Sequence, residues 1–261
     1  MRLDNYLVIN NYFQTRNKAQ QAIKSKRIKV INDIISKSGY EINDLDIIEV
    51  IPIEYEFVSR GGYKLLKAIQ FFNLDFNDKV ILDLGASTGG FTDCSLKFNA
   101  SKVYAVDVGT DQLDNSLRNN DRVISIENTN AKDLKKEDYL DIYYIVMDLS
   151  FISITKLIDK LNELINENTK IVTLIKPQFE VENKNINKNG LVKNKDVHYD
   201  VIKRIINSFK ECNIYIENLT YSPLRGEKSG NIEYLALFSR TNNEIDININ
   251  EVINQAYKNM I

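Results

Sequence analysis

Four charged side chains lie within or directly after apolar runs that are typical of buried strands. Asp83 lies inside one such run, and Asp107, Asp148 and Lys176 close three later ones. Ligands of open α/β sheets bind outside the carboxyl ends of the strands, so we expect these groups to meet at one edge of a sheet. A lysine in this position acts as a base only after losing its proton. Burial or a second cation nearby, for which Lys64 is a candidate, would favour that loss.

The run that contains Asp83 leads into a glycine-rich turn and then into a predicted helix. We expect Gly85, Gly89 and Gly90 to supply positive φ angles and to let the backbone approach a ligand closely. The spacing G-x-x-x-G-G differs from the dinucleotide fingerprint G-x-G-x-x-G, and the Asp83 carboxylate would repel a pyrophosphate. The turn therefore favours S-adenosylmethionine, which carries an ammonium and a sulfonium but no phosphate, over NAD.

Other cofactor contacts are expected from the loops that follow the next strands. Asp107 lies at the tip of the second strand, where doubly wound folds hold a ribose diol, and the loop 128–130 would meet an adenine ring. Either Asp83 or Asp107 alone could instead be a helix N-cap or a loop carboxylate. The predicted cofactor-binding residues are Asp83, Gly85, Ser87, Gly89, Gly90, Phe91, Asp107, Val108, Asn130 and Asp148.

The composition is that of a globular protein. The chain has 261 residues, 43% of them hydrophobic and 27% charged, with only three prolines, which excludes fibrous and disordered classes. Cys94 and Cys212 offer neither metal spacing nor a disulfide framework, so a reducing cytoplasm is the expected location. The sequence shows no apolar signal core and no run as long as a membrane span, so we expect no membrane partner.

Seven apolar runs after residue 57 are predicted strands, and most alternate with predicted helices. This alternation indicates an α/β fold with a Rossmann-like, seven-stranded sheet that is covered on both faces. The last two runs, Ile214–Leu219 and Ile232–Phe238, lie too close together for a helical crossover. The last strand should therefore run antiparallel to its neighbours.

We expect three parts along the chain. Residues 1–56 would form a small α+β module that ends in a linker at Pro52 and the acidic stretch after it. Residues 57–240 would form the cofactor-binding domain. Residues 241–261 are polar and rich in asparagine and would form a C-terminal tail with a short helix from Ile249.

The first part concentrates positive charge, although the whole chain has a formal net charge of −2. Residues 14–30 contain six basic residues and no acidic one. Thr15 is the predicted N-cap of a helix through about Lys26, and a strand over 27–31 and a turn at Asn32-Asp33 should follow. A solvated, charged helix is the ordinary explanation of such a run. The alternative is RNA contact by Arg2, Arg16, Lys18, Lys24, Lys26, Arg27 and Lys29, joined by Arg60 of the next part.

Residues 1 to about 51 resemble the small RNA-binding module of ribosomal protein S4 and of many pseudouridine synthases. The matching segments are Arg2–Leu7, Thr15–Ala19, Arg27–Val30 and Ile47–Val50. The chain departs from the pattern at residues 31–33, where members usually have Val-Asn-Gly. The resemblance implies contact with RNA, mainly through phosphates and backbone shape.

Five later segments, in order along the chain, carry a second resemblance. They are Val58–Lys64, Asp83–Phe91, Asp148–Ser153, Leu174–Glu180 and Arg225–Glu233. Together they resemble the TlyA family, whose members are described both as haemolysins and as rRNA ribose methyltransferases, with a catalytic half similar to FtsJ-type 2′-O-methyltransferases. A Lys-Asp-Lys-Glu tetrad serves catalysis in that fold. The resemblance implies that its members here are Lys64 in the opening helix, Asp148, Lys176 and, in the final strand, Glu233.

The function implied by this resemblance is S-adenosylmethionine-dependent 2′-O-methylation of ribosomal RNA, with ribosomal RNA or ribosomal subunits as partners and cytidine as the expected nucleotide. A ribose hydroxyl is a poor nucleophile, so its proton must be withdrawn as the oxygen attacks. Lys176 is the expected base, and no metal is needed because the electrophile already carries positive charge. Two alternatives are a membrane-lytic haemolysin and a non-catalytic RNA-binding protein that keeps the methyltransferase fold.

Several singled-out residues also have ordinary structural explanations. Glu233 alone could be a structural salt-bridge partner. His198, the only histidine, is expected near the start of a helix, and Cys94 is expected in packing. Phe91 and Phe151 are expected in the core rather than as stacking platforms, although either could border the cofactor pocket.

Overall fold

The computed structural model describes residues 1–43, 45–51, 54–182, 185–226, 230–242 and 245–260. The chain forms two compact units, Met1–Glu56 and Phe57–Ile261. Two predictions fall outside the described residues in part. These are the linker at Pro52 and the middle of the motif Arg225–Glu233, residues 227–229.

The first unit combines two helices with a three-stranded antiparallel sheet in the order β2-β1-β3. Its elements are α1 (Leu3–Ile9), α2 (Arg16–Lys24), β1 (Ile28–Val30), β2 (Asp33–Ile35) and β3 (Ile48–Val50). Leu3 and Leu7 of α1, Ile23 of α2 and Ile28 of β1 are fully buried in one core. This shared core explains why the short helices and strands form a unit at all, since each is too short to be stable alone.

Two local predictions in the first unit need correction. The Thr15 side chain accepts a hydrogen bond from the Lys18 N–H, as predicted, but α2 ends at Lys24 because Lys26 has a φ of 58°. The hairpin turn consists of Ile31 and Asn32, with φ values of 47° and 73°, rather than of residues 32 and 33. Two successive positive φ angles are typical of a two-residue hairpin turn, although a β-branched residue is strained there.

The second unit is built on a seven-stranded sheet. Its strands are β4 (Val80–Leu84), β5 (Lys102–Val106), β6 (Val123–Ile126), β7 (Tyr144–Met147), β8 (Lys170–Ile175), β9 (Tyr215–Tyr221) and β10 (Tyr234–Ser239). Its α-helices are α3 (Gly61–Phe72), α4 (Gly90–Lys97), α5 (Asn115–Arg118), α6 (Ile158–Leu164), α7 (Pro177–Glu180), α8 (Lys195–Glu211) and α9 (Ile249–Met260). Short 3-10 turns lie at Ala131–Asp133, Lys136–Asp138 and Ile154–Leu157.

The strand order is β6-β5-β4-β7-β8-β10-β9. Strands β6, β5, β4, β7 and β8 pair in parallel, whereas β10 pairs antiparallel with both β8 and β9. The predicted Rossmann-like sheet with an antiparallel last strand is therefore confirmed. The order reverses between β4 and β7, and such a switch point opens a crevice at the carboxyl ends of the strands.

Helices and sheet share one large apolar core. Leu82 of β4 and Ile145 of β7 belong to it, together with the buried face of α8. The rings of Phe209 on α8 and Phe238 on β10 stack with centroids 4.2 Å apart. Helix α9 adds Ile253 to the same core, so the last helix packs on the second unit. Each helix of the described part is too short or too polar to cross a membrane.

The structure also places the residues with ordinary structural explanations. His198 lies in the first turns of α8, where it is fully buried between the Tyr234 hydroxyl at 2.7 Å and the Val192 carbonyl oxygen at 2.9 Å. Burial lowers the pKa of His198. Cys94 is fully buried in α4. The core prediction is wrong for Phe151, which is 80% exposed as a residue.

Candidate active site

A cavity of about 920 Å³ opens at the switch point of the sheet. Its wall contains Gly85 and Asp107, which follow β4 and β5, and Asp148 and Lys176, which follow β7 and β8. Lys64 of α3 and Glu233, the residue before β10, complete the wall. Small-molecule sites usually measure about 300–1,000 Å³, so the cavity can take a cofactor-sized ligand.

Two glycines of the turn are needed for different reasons. Gly85 has a φ of 82°, and a Cβ atom there would lie 2.9 Å from the Leu149 side chain. The expectation of a positive φ is wrong for Gly90, which begins α4 with helical backbone. A Cβ atom on Gly90 would lie 2.4 Å from the Ser59 Oγ and 2.9 Å from the Gly62 nitrogen. Gly90 therefore allows α3 and α4 to approach each other closely.

Asp107 connects the loops around the cavity. Its Oδ2 accepts a hydrogen bond from the Ser87 N–H at 2.8 Å, and its Oδ1 accepts one from the Gly109 N–H at 2.7 Å. Each carboxylate oxygen keeps further acceptor capacity, which suits ribose hydroxyls. Val108, which is 67% exposed, and the buried Phe91 line the same cavity.

Three predicted cofactor residues do not line the cavity: Asp83, Gly89 and Asn130. Asn130 caps the 3-10 turn after it by accepting from the Lys132 N–H, and its neighbours Thr129 and Ala131 line the wall instead. Asp83 is fully buried beneath the turn, where its Oδ2 accepts a hydrogen bond from the Thr92 hydroxyl at 2.7 Å. Its Oδ1 has no hydrogen-bond partner among the described residues.

Burial raises the pKa of Asp83 to about 7, against an ordinary value of 3.8. Because the folded-state pKa is raised, the contribution of this carboxyl to stability is complete below its unfolded pKa and is lost as the pH rises through about 7. We therefore expect Asp83→Asn, which is uncharged at every pH, to raise the melting temperature at about pH 8 and to change it little near pH 4. Thermal unfolding at both pH values measures the effect.

Asp121→Asn is the control, because it makes the same substitution at an exposed position. Its melting temperatures at the two pH values show the effect of losing a carboxyl that is not buried. The contrary result would be that Asp83→Asn lowers the melting temperature more at about pH 8 than near pH 4. That result would mean that the charged carboxylate stabilises the folded protein, and that burial does not raise the pKa of Asp83.

Four ionisable residues form a continuous chain along one side of the cavity. The Nζ of Lys64 lies 2.8 Å from Glu233 Oε2 and 3.2 Å from Asp148 Oδ2. The Nζ of Lys176 lies 2.6 Å from the other oxygen of Asp148. The structure therefore brings together all four residues of the predicted tetrad. Glu233 stands directly before β10 and not inside the strand.

Local backbone structure fixes the position of Lys176. Pro177 is the first residue of α7, where a missing N–H costs nothing, and it biases the residue before it towards extended backbone. Lys176 has φ −113° and ψ 95°. Its side chain consequently lies along the wall of the cavity. The whole residue is only 6% exposed.

The charges of the tetrad support one another. Burial alone would favour neutral Lys64, but Asp148 and Glu233 outweigh it and raise the pKa of Lys64. Burial likewise opposes charge on Asp148, but the positive charges of Lys176 and Lys64 prevail and lower the pKa of Asp148. The tetrad thus holds two cations and two anions whose charges cancel inside a largely buried site.

Two residues in contact with the tetrad were not predicted as site residues. The Ser150 hydroxyl accepts a hydrogen bond from Lys176 Nζ at 2.9 Å, and Gln178 Nε2 donates one to Glu233 Oε1 at 3.3 Å. Both lie within two positions of a tetrad residue, inside segments that carried the family resemblance. That adjacency was the available signal.

The predicted RNA-binding residues have different environments. Lys18, Lys24 and Lys26 are exposed. Lys29 pairs with Glu49 at 3.1 Å, and Arg27 donates to the Ile51 carbonyl at 3.1 Å.

Arg60 belongs to the second unit, where it lies at the mouth of the cavity and donates to the Arg225 carbonyl at 3.2 Å. Arg2 and Arg16 both bind the buried carboxylate of Asp4 in the first unit.

The switch-point cavity, the glycine turn and the order of a seven-stranded sheet with one antiparallel strand define the class of Rossmann-like methyltransferases. A family model described as FtsJ-like methyltransferase matches residues 57–240, and an S4 domain model matches residues 1–48. With the relatives described next, these matches show that the chain belongs to the TlyA family of FtsJ-like methyltransferases.

The relatives match nearly the whole chain. Hemolysin A of Brachyspira hyodysenteriae is 44% identical over 240 residues, which are 91% of this chain and 99% of that protein. The 16S/23S rRNA (cytidine-2′-O)-methyltransferase TlyA of Mycobacterium tuberculosis is 34% identical over 244 residues, 92% of this chain and 90% of that one. A solved structure from Streptococcus thermophilus is 34% identical, covers 99% of this chain and 96% of its own, and has a TM-score of 0.76.

Membership in this family implies S-adenosylmethionine as the methyl donor. The residues of the cavity suit that cofactor. Because Gly85 has no side chain, a ligand can approach the backbone of the turn closely. Asp107 offers hydrogen-bond acceptors for ribose hydroxyls.

Proposed function

We propose that this protein transfers a methyl group from S-adenosylmethionine to a ribose 2′-oxygen of ribosomal RNA, with cytidine as the target nucleotide. The observation that carries the proposal is the chain of ion pairs from Glu233 through Lys64 and Asp148 to Lys176 along the cavity wall. The name of the Mycobacterium tuberculosis relative supports the nucleotide and the RNA. The S4 domain supports binding to ribosomal RNA or ribosomal subunits, and such partners support a cytoplasmic location.

The cofactor would be held by Gly85, Ser87, Phe91, Asp107 and Val108. When bound, S-adenosylmethionine supplies a methyl group on a positively charged sulfur. The chain supplies the rest of the chemistry through the tetrad.

Lys176 is charged in its ion pair with Asp148, so it first releases a proton to solvent. The neutral Nζ then accepts the proton of the ribose hydroxyl. Bound S-adenosylmethionine would give its methyl group to the 2′-oxygen as this proton leaves, and the electron pair of the broken carbon–sulfur bond would remain on sulfur. Asp148 and Ser150 hold the Lys176 side chain in place. Lys64, kept charged by Glu233 and Asp148, orients the attacking hydroxyl by donating a hydrogen bond.

Incubating the protein with S-adenosylmethionine labelled on the methyl group and with small or large ribosomal subunits tests the proposal. Nuclease digestion and mass spectrometry should then identify 2′-O-methylcytidine, and primer extension should locate it. Methylation of a base instead of a ribose would overturn the proposed reaction. Binding of both S-adenosylmethionine and ribosomal RNA without transfer would instead establish a non-catalytic RNA-binding protein.

A further inference from the structure

A buried carboxylate organises two of the basic residues of the first unit. Asp4 has no exposed surface, yet its two oxygens accept four hydrogen bonds. Arg2 donates through Nε to Oδ1 at 3.1 Å and through Nη2 to Oδ2 at 3.0 Å. Arg16 donates through Nε to Oδ2 at 3.0 Å, and Gln20 donates to the same oxygen at 2.7 Å. The hydrogen bonds from Arg2 hold the pKa of Asp4 well below its usual range.

The two arginines keep donors available to solvent. Their side chains are 47% and 51% exposed. In the part of the chain that the structure describes, Nη1 of Arg2 and both Nη atoms of Arg16 have no hydrogen-bond partner. Arg2 and Arg16 each bind Asp4 Oδ2 at 3.0 Å, so the two bonded nitrogens are at most about 6 Å apart. One shared acceptor therefore holds the two guanidinium groups near each other.

The charge of this cluster matches one phosphodiester group. Two guanidinium groups and one carboxylate leave a net charge of +1, and an RNA phosphate carries one negative charge. Guanidinium groups are also well suited to phosphate because their paired N–H donors match two phosphate oxygens. Lysines on the same unit lack this geometry and would act as separate point charges.

We propose that Asp4 is a positioning residue that joins Arg2 and Arg16 into one clamp for a single phosphate of the RNA backbone. This inference rests on the RNA binding contained in the proposed function. It adds a defined phosphate site and gives a role to an acidic residue that the reaction does not use.

The clamp and net charge alone predict opposite changes in RNA affinity when the charge of Asp4 is removed. Removing a negative charge from a basic surface should strengthen binding to a polyanion if only net charge matters. If Asp4 aligns the arginines, its loss should weaken binding, because the freed side chains lose orientational order that must be restored on binding.

Filter binding of a labelled ribosomal RNA transcript to the full chain across a potassium chloride series tests the clamp. For Asp4→Asn we expect roughly tenfold weaker binding and a slope of log K against log[salt] that is shallower by about 1, because one phosphate contact is lost. Glu49→Gln is the matched control, since it removes the same charge from an exposed residue that pairs with Lys29. We expect binding by this control to be unchanged or tighter.

Because Asp4 is buried, circular dichroism must show that Asp4→Asn is folded. Arg16→Lys tests the clamp independently at a half-exposed position, because it keeps the charge and removes the planar fork. We expect several-fold weaker binding, whereas net charge alone predicts no change.

Tighter binding by folded Asp4→Asn, or wild-type binding by Arg16→Lys, would overturn the clamp while leaving the proposed function intact. If the wild-type chain failed to bind or methylate ribosomal RNA, the proposed function would fail instead, together with the clamp that rests on it.

Discussion

Replacing Lys176 with arginine is expected to slow methyl transfer by about 10³-fold or more, because a guanidinium stays protonated at working pH and cannot accept a proton. Arginine keeps the positive charge and can still pair with Asp148 and Ser150, so the substitution separates the role of base from the role of ion-pair partner. Binding of S-adenosylmethionine, measured by calorimetry, should be unchanged. Single-turnover transfer to ribosomal RNA measures the rate.

Lys176→Ala should abolish transfer as well, with the added loss of the ion pair to Asp148. Lys170→Arg is a matched control, because Lys170 begins the same strand, β8, and pairs with Glu217 at 2.8 Å. We expect wild-type turnover from this control. Near-normal turnover by Lys176→Arg would show that another group takes the proton.

The family resemblance implied the four residues of the tetrad and a contact between Glu233 and the second lysine, Lys64, but the strand patterns did not predict which strands bring these residues together. Lys64 and Glu233 are 169 positions apart, and their contact depends on β10 entering the sheet beside β8. Strand-like runs predict which residues stand at strand ends, but strand order decides which ends are neighbours. Asp148 bridges the two lysines because the switch point sets β7 beside β4 and β8.

Asp83 shows a limit of strand patterns. A carboxylate in an apolar run needs a partner, and for Asp83 we expected a cationic ligand over the glycine turn to supply it. The structure supplies Thr92, which lies in the first turn of α4 and reaches back under the glycine turn. Alternation along a strand fixes the face of a side chain, but it does not show how far a neighbouring helix covers that face.

The first unit shows the same limit for surface charge. Composition predicted a basic surface, and the exposed lysines of α2 agree with it. The role of Asp4 was not predictable, because its partners Arg16 and Gln20 are 12 and 16 positions away and meet it only when α1 packs against α2. A single acid near the start of a chain gives no signal of burial by itself.

The second large effect is expected on stability when the central carboxylate of the tetrad is neutralised. Among the residues that the structure describes, Asp148→Asn leaves Lys176 without a carboxylate partner and leaves Lys64 with Glu233 alone. Breaking a buried ion pair by removing one partner strands the other charge in a poorly solvated site, so we expect the free energy of unfolding to fall by about 3 kcal/mol. Urea unfolding followed by circular dichroism measures it.

Glu233→Gln is the matched comparison for Asp148→Asn, because it removes the same charge but leaves both lysines in contact with Asp148. We expect a smaller loss of stability from Glu233→Gln.

Removing the stranded lysine as well should restore part of the stability lost in Asp148→Asn. In the double variant Asp148→Asn with Lys176→Met, the side chain at position 176 has similar length and no charge, so its desolvation costs nothing. We therefore expect the double variant to be more stable than Asp148→Asn alone, although neither should transfer a methyl group. Independent contributions from the two residues would instead make the double variant the least stable of the series, because distant, uncoupled substitutions add. That outcome would mean that packing, rather than the ion pair from Asp148 to Lys176, determines the stability of this side of the cavity.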